Sequence, residues 1–295
     1  MKLLGRFNLI FSGVFLIGIG LAILLASAFL EQDTKEQVLA QAKLMMLTAT
    51  ATRTYTSQQI EPLLDKIQKR DMKFLPQTVP AFGATQAFNY LHASEPEYSY
   101  KEATLNPTNL EDRTADWEAD IVNLFRNDAG LKEKSGERDT PTGRSMYYAR
   151  PIQVTEAGCL ECHSTPKAAP AAMIRQYGST NGFGWKLHEV VGAQIVSVPE
   201  ALPRAIAGRE LKSLVVYLVV IALVAMAVLD LVLVATVIRP VAKLSEVAED
   251  LSQGKTSAEI PAKGRDEISV LARAFNRMQV SLAKALKLLE RDGSG

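Results

Sequence analysis

Cysteine and histidine are scarce. The 295-residue chain has 2 Cys and 3 His. That excludes a disulfide-stapled fold, and the scattered histidines exclude a zinc finger of two Cys and two His. An excess of one charge is also missing. With 33 Lys plus Arg against 32 Asp plus Glu, the net charge is +1. A global basic field for gripping nucleic acid is therefore excluded. Neither G-x-G-x-x-G nor G-x-x-x-x-G-K-S/T occurs, so no glycine-rich phosphate loop is expected. No catalytic triad, acid pair or metal helix motif stands out, and the chain does not read as an enzyme. What is plentiful is apolar sequence: 47% of residues are apolar and 22% charged. Wholesale disorder is therefore not expected, and the length suggests about two domains.

Much of that apolar content lies in two runs. The first, Leu9 to Leu30, carries no charge and extends roughly 33 Å as a helix, enough to cross a bilayer core. Lys2 and Arg6 precede it and Glu31 and Asp33 follow, so its N-terminal end should stay cytoplasmic. Ala26-Ser27-Ala28 resembles a cleavage site, but signal-peptide apolar cores are shorter, about 7–15 residues, which favours retention. The second run, Leu214 to Ile238, lies between Lys212 and Arg239. Its one charge is Asp230, and an acid inside a membrane usually finds a partner. Ser12 is expected at similar depth and could share a hydrogen bond with it; the alternative is Asp230 of a second copy. Two spans put both termini in the cytoplasm and residues 31–213 outside it.

The strongest chemical signal is Cys159-Leu160-Glu161-Cys162-His163, a C-x-x-C-H. Two thiols three residues apart reach the two vinyl groups of one porphyrin, and the adjacent histidine falls beneath the iron. Both cysteines are used by this motif, and it lies in the exterior segment, where bacteria attach c-type haem. One covalent haem c is expected, with His163 as an axial iron ligand. A redox disulfide and a partial zinc site are the alternatives. The preceding Thr155-Glu156-Ala157-Gly158 reads as a loop rather than the strand a thioredoxin-like motif follows. The sixth ligand is left open. Met45, Met46 and His92 are the main candidates, with His188, Met72, Met146, Met173 or an open position as others. Arg150 could neutralise a haem propionate or sit in a surface ion pair.

Around the motif, Glu31 to about Lys69 reads as helix, with a stripe of Val38, Ala42, Met45, Ala49 and Thr52. That stripe suits either a stalk pairing two subunits or the core of its own domain. Pro76, Pro80 and Gly83 are expected to open a loop. Strands are expected at Tyr98–Ala103, Ser145–Val154 and Val190–Val198, a helix at Asp116–Asn127, and a loop or hairpin over Gly130–Gly143. Strands this close in sequence predict antiparallel pairing.

Beyond Arg239-Pro240, Val241, Leu244, Ala248 and Leu251 recur at helical spacing until Gly254 stops the helix. After a connector, Ile268, Leu271, Phe275, Met278, Leu282, Ala285 and Leu289 alternate steps of 3 and 4, a heptad seam that one helix cannot bury alone. A linker this long favours parallel helices over an antiparallel hairpin.

Ile238-Arg239-Pro240, Gly264-Arg265-Asp266-Glu267-Ile268 and Ala274-Phe275-Asn276-Arg277-Met278 resemble a HAMP domain. Pro240 matches the proline just inside the membrane, and Glu267 the acid opening the second helix. The resemblance implies a parallel four-helix coil in a dimer. Pro76-Gln77-Thr78-Val79-Pro80-Ala81, Tyr98-Ser99-Tyr100-Lys101, Tyr148-Ala149-Arg150-Pro151, the C-x-x-C-H and Gly192-Ala193-Gln194-Ile195 resemble the PAS-like c-type haem domain of bacterial membrane sensors. That family implies an antiparallel sheet beside the haem. At least one member uses a cysteine as second axial ligand, and this chain has no third cysteine.

The expected protein is thus an α/β PAS-like sensor domain between two transmembrane helices, plus a cytoplasmic HAMP coil. Its segments are a tail (1–8), a first span (9–30), a periplasmic haem domain (31–213), a second span (214–238), HAMP (239–291) and a tail (292–295). It should lie in the bacterial inner membrane as a homodimer. A redox partner or diatomic gas would act outside, and a separate partner such as a kinase would listen inside. The competing expectation is a membrane-tethered monohaem cytochrome c that carries electrons.

Overall fold

The structure, a computed structural model, describes residues 3–141, 143–253, 259–261 and 264–292. Gly254 and the last three residues, which figured in the sequence reading, lie outside the described residues, as does the side chain of Leu289. The chain divides into two units, residues 27–211 and residues 1–26 with 212–295.

The 27–211 unit is built on four antiparallel strands in the order β1-β4-β3-β2: β1 (Ser99–Thr104), β2 (Lys134–Thr140), β3 (Gly143–Gln153) and β4 (Val190–Pro199). Central β4 aligns Val196 with both Tyr100 and Tyr148, and Ala193 with Ala103. Successive side chains alternate between faces, so the sheet carries two cores. One face is covered by α1 (Leu3–Tyr55) and α3 (Pro80–Ser94), where Val38, Ala42, Met46 and Phe88 meet Tyr148 and Val198. The α1 stripe is thus the core of its own domain. The other face packs Ile121, Val122 and Phe125 of α4 (Asp116–Asn127) on Ala103, Ala149 and Ile195. Phe125 is buried outright, which contributes about 1.5–3 kcal/mol. The N-terminus of α4 is fixed by Glu118, whose carboxylate accepts from the Ala115 N–H at 2.8 Å.

The expected loop over 76–83 is only partly there. Pro76–Thr78 is a 3-10 turn, and α3 begins at Pro80. Proline at the first helical position has its φ already set and lacks only an N–H that has no partner there. Gly83 then lies inside the helix because a Cβ would come within 2.4 Å of Thr56 Oγ1. Thr56 opens a π-helical turn, Thr56–Ile60, that joins α1 to α2 (Glu61–Asp71).

In the second unit, α7 (Ala201–Leu233) passes through a π-helical turn, Val234–Ile238, into α8 (Arg239–Ser252), and α9 (Glu267–Asp292) follows. Both α1 and α7 contain stretches long and apolar enough to cross a membrane. Leu244 and Val247 of α8, Ile260 of the connector and Ala272 of α9 form one small core. Asn276 clamps the connector, donating to the Ile260 carbonyl at 2.9 Å and accepting its N–H at 3.1 Å. Seam residues Leu271 and Met278 remain 51% and 52% exposed in the single chain.

Asp230 is paired, but not with Ser12. Its carboxylate accepts from Asn8 Nδ2 at 3.1 Å, one helical turn nearer the N-terminus. The expectation assumed that Arg6 and Arg239 sit at one depth, and a residue count from such flanks fixes the partner only to within about a turn.

Candidate functional site

The C-x-x-C-H folds as α5 (Gly158–His163), preceded by the expected loop. Cys159 and Cys162, at i and i+3, lie on the same side of this turn, both free and partly exposed. Burial first, then the neighbouring carboxylate of Glu161, the Cys159 thiol and Glu61 push the Cys162 thiol above its ordinary pKa.

His163 is held on several sides. Its Nδ1 lies 2.8 Å from the Gly182 carbonyl, and its ring stacks on Trp185 with centroids 3.9 Å apart. The backbone locks the same segment: Trp185 N–H donates to the His163 carbonyl and Gly184 N–H to that of Ser164. A carbonyl only accepts, so Nδ1 carries the proton and Nε2 keeps its lone pair. Burial lowers the pKa of the imidazole, which favours the neutral ring. Gly182 is needed twice over. Its φ is +82°, and a Cβ would meet Thr108 Oγ1 at 2.0 Å. This neutral, oriented imidazole beside two thiols on one turn fits a porphyrin iron bound through Nε2 and two thioethers.

Helix α6 (Ala171–Tyr177) sends Arg175 to the Met72 carbonyl at 2.9 Å, and Tyr177 meets Phe74 edge-on. Met72 itself is exposed and has a left-handed φ of 48°. Met45, Met46 and Met146 are in the apolar core under α1. His92 is exposed, with Nδ1 2.9 Å from the Tyr98 carbonyl, and Met173 is buried in α6. His188 has a left-handed φ of 65°. Arg150 lies 5.7 Å from the Tyr148 ring centroid, and its Nε donates to the Tyr148 hydroxyl at 3.1 Å.

Sequence reasoning missed a buried polar network. Arg53 donates to both oxygens of Glu102 at 2.5 Å, Tyr100 donates to Glu102, and Gln194 donates to Tyr100. A signal was present: Arg53 falls four residues after Ala49 on the buried stripe of α1, a charge on an apolar face. Beside it, a cavity of about 330 Å³ along the edge of β1 is lined by His92, Asp112 and Trp117. Burial there, then the charge of Glu102, pushes the Asp112 carboxyl up to about 6.

No curated protein matches the chain. A solved structure, described as the crystal structure of the cyanobacterial heme-protein Tll0287, is similar at 18% identity and a TM-score of 0.42, covering 55% of this chain and 94% of that one. Residues 232–284 match the HAMP domain. Residues 31–199 match the Tll0287-like family (Tll0287), and on that match, which spans more than half of its length, the chain belongs to the Tll0287-like family.

Proposed function

We propose that the protein is a two-pass inner-membrane sensor. A single haem c on its periplasmic domain would report redox state or a small ligand through HAMP to a cytoplasmic partner. The observation that carries this reading is His163, with Nδ1 tied to the Gly182 carbonyl and Nε2 free. Cys159 and Cys162 would hold the porphyrin through thioethers and His163 would ligate the iron; the haem, when bound, supplies a redox-active or gas-binding iron. The family match supports haem over a redox disulfide.

The HAMP match supports a signalling role, with two chains pairing in a parallel four-helix coil. Half-exposed Leu271 and Met278 are what such pairing would cover. Both termini would then be cytoplasmic, and the listener inside would be a separate protein such as a kinase. Arg150 could serve a haem propionate through its two terminal nitrogens while Nε keeps the Tyr148 hydroxyl. For the sixth ligand, Met45 and Met46 would have to leave a packed core, whereas exposed His92 would give up only one contact with a carbonyl.

The test starts with the full-length chain made in a host competent for cytochrome maturation. Intact mass should show one covalent haem, lost in Cys159→Ser/Cys162→Ser. Optical and paramagnetic resonance spectra should change with redox state or a diatomic gas, and His92→Ala should alter them if His92 is the sixth ligand. Disulfide cross-linking through Leu271→Cys should change with haem state. Cross-linking indifferent to haem state, with normal redox cycling, would mean an electron carrier instead.

A further inference from the structure

The helix α1 is apolar on two opposite sides. One side, Val38, Ala42, Met45 and Ala49, is buried in its own domain. The other runs through Gln37, Ala40, Leu44, Leu47, Ala51 and Thr54, all exposed, at steps of 3, 4, 3, 4 and 3. Leu44 is 64% exposed and Leu47 54%. An unbroken 3–4 alternation is the pattern of a coiled-coil seam. Here a leucine pair sits at its centre, alanines flank it for close approach, and polar residues close both ends.

We propose that this face is the exterior dimer seam, where α1 of a second copy packs in parallel. Two observations select that occupant over a different protein. First, no charge occupies a seam position from 37 to 54. The nearby basic side chains are engaged within their own domain: Lys43 with Glu133 at 3.0 Å and Arg53 with Glu102. A parallel two-fold pairing lays each seam residue against its own copy, so any charge there would meet its like. Second, α1 is a single helix from Leu3 to Tyr55, and the C-terminal seam of the same chain already calls for a second copy. The inference therefore rests on the dimeric reading above, extended to a surface that nothing in the HAMP match covers.

The experiment uses the full-length chain in membranes, with single added cysteines at 44, 47, 50, 132 or 271 and the unaltered chain as background. Oxidative cross-linking at Leu44→Cys and Leu47→Cys should yield roughly ten-fold more dimer than at Thr50→Cys or Lys132→Cys, which lie off the seam. Dimer at Leu271→Cys with none at 44 and 47 would overturn the seam and leave the paired coil standing. Dimer at 44 and 47 without 271 would uphold the seam and count against the coil. No dimer at any position would overturn both.

Discussion

At His163 a carbonyl fixes the tautomer, a tryptophan fixes the ring plane, and a glycine makes room for both. The C-x-x-C-H was legible because its chemistry lies in five consecutive residues. The clamp was not, because Thr108, Gly182 and Trp185 come from distant positions that only the fold brings together. The sixth ligand stayed open for the same reason: spacing says nothing about which methionine a core will absorb.

Asp112 makes a prediction at this scale. Its carboxyl is raised to about 6, while an unfolded aspartate titrates near 3.9. Below about pH 4 both states hold the proton. Between about 4 and 6 the folded state holds it and the unfolded state releases it, so stability falls as pH rises through that window. Above about 6 the full penalty stands, roughly 1 kcal/mol after allowing for partial exposure. Asp112→Asn should therefore stabilise the domain by about that amount at pH 7 and not at pH 4. Urea unfolding followed through Trp117 fluorescence at both values checks this; an equal gain at both would refute it.

Among elements, β1, β3, β4, α4 and the antiparallel pairing were legible, because alternation and turn residues are local signals, whereas polar β2 was read only as a loop or hairpin. Helix α3 was less so: Pro76, Pro80 and Gly83 read as breakers, yet Pro80 starts the helix and Gly83 lets it touch α1's π-helical turn. That contact yields a sign reversal. A Cβ on Gly83 would sit 2.4 Å from Thr56 Oγ1. Overpacking of this kind costs about 1–3 kcal/mol, more than the roughly 1 kcal/mol that Ala gains over Gly in a helix. Gly83→Ala alone should lower stability by about 1–2 kcal/mol. In a Thr56→Ala background, where the hydroxyl is gone, the same change should stabilise. A double-mutant cycle by denaturant unfolding measures the coupling, and additive effects would show that the two helices separate freely here.

For the whole molecule, hydropathy was enough to read two helices apolar enough to cross a membrane flanking the sheet domain, with HAMP after the second. Depth was read less well, since a count from the flanking arginines assumes that both sit at one level, and Asn8 rather than Ser12 reaches Asp230. That bond ties α1 to α7 within the membrane unit. Hydrogen bonds between membrane helices contribute about 0.6 kcal/mol on average and up to about 1.7. This one has a further feature: Asn8 Oδ1 is buried and has no partner among the described residues. Asp230→Leu should therefore loosen the helix pair by about 1 kcal/mol, because it leaves the whole Asn8 amide unpaired. Adding Asn8→Leu should recover part of that loss by removing the stranded group. The haem spectrum should not move in either variant, since no residue around His163 takes part. Cross-linking through the C-terminal seam should move, if the bundle is what the coil reads. A shifted spectrum with unchanged cross-linking would place the coupling outside this polar contact and leave Asp230 as an anchor alone.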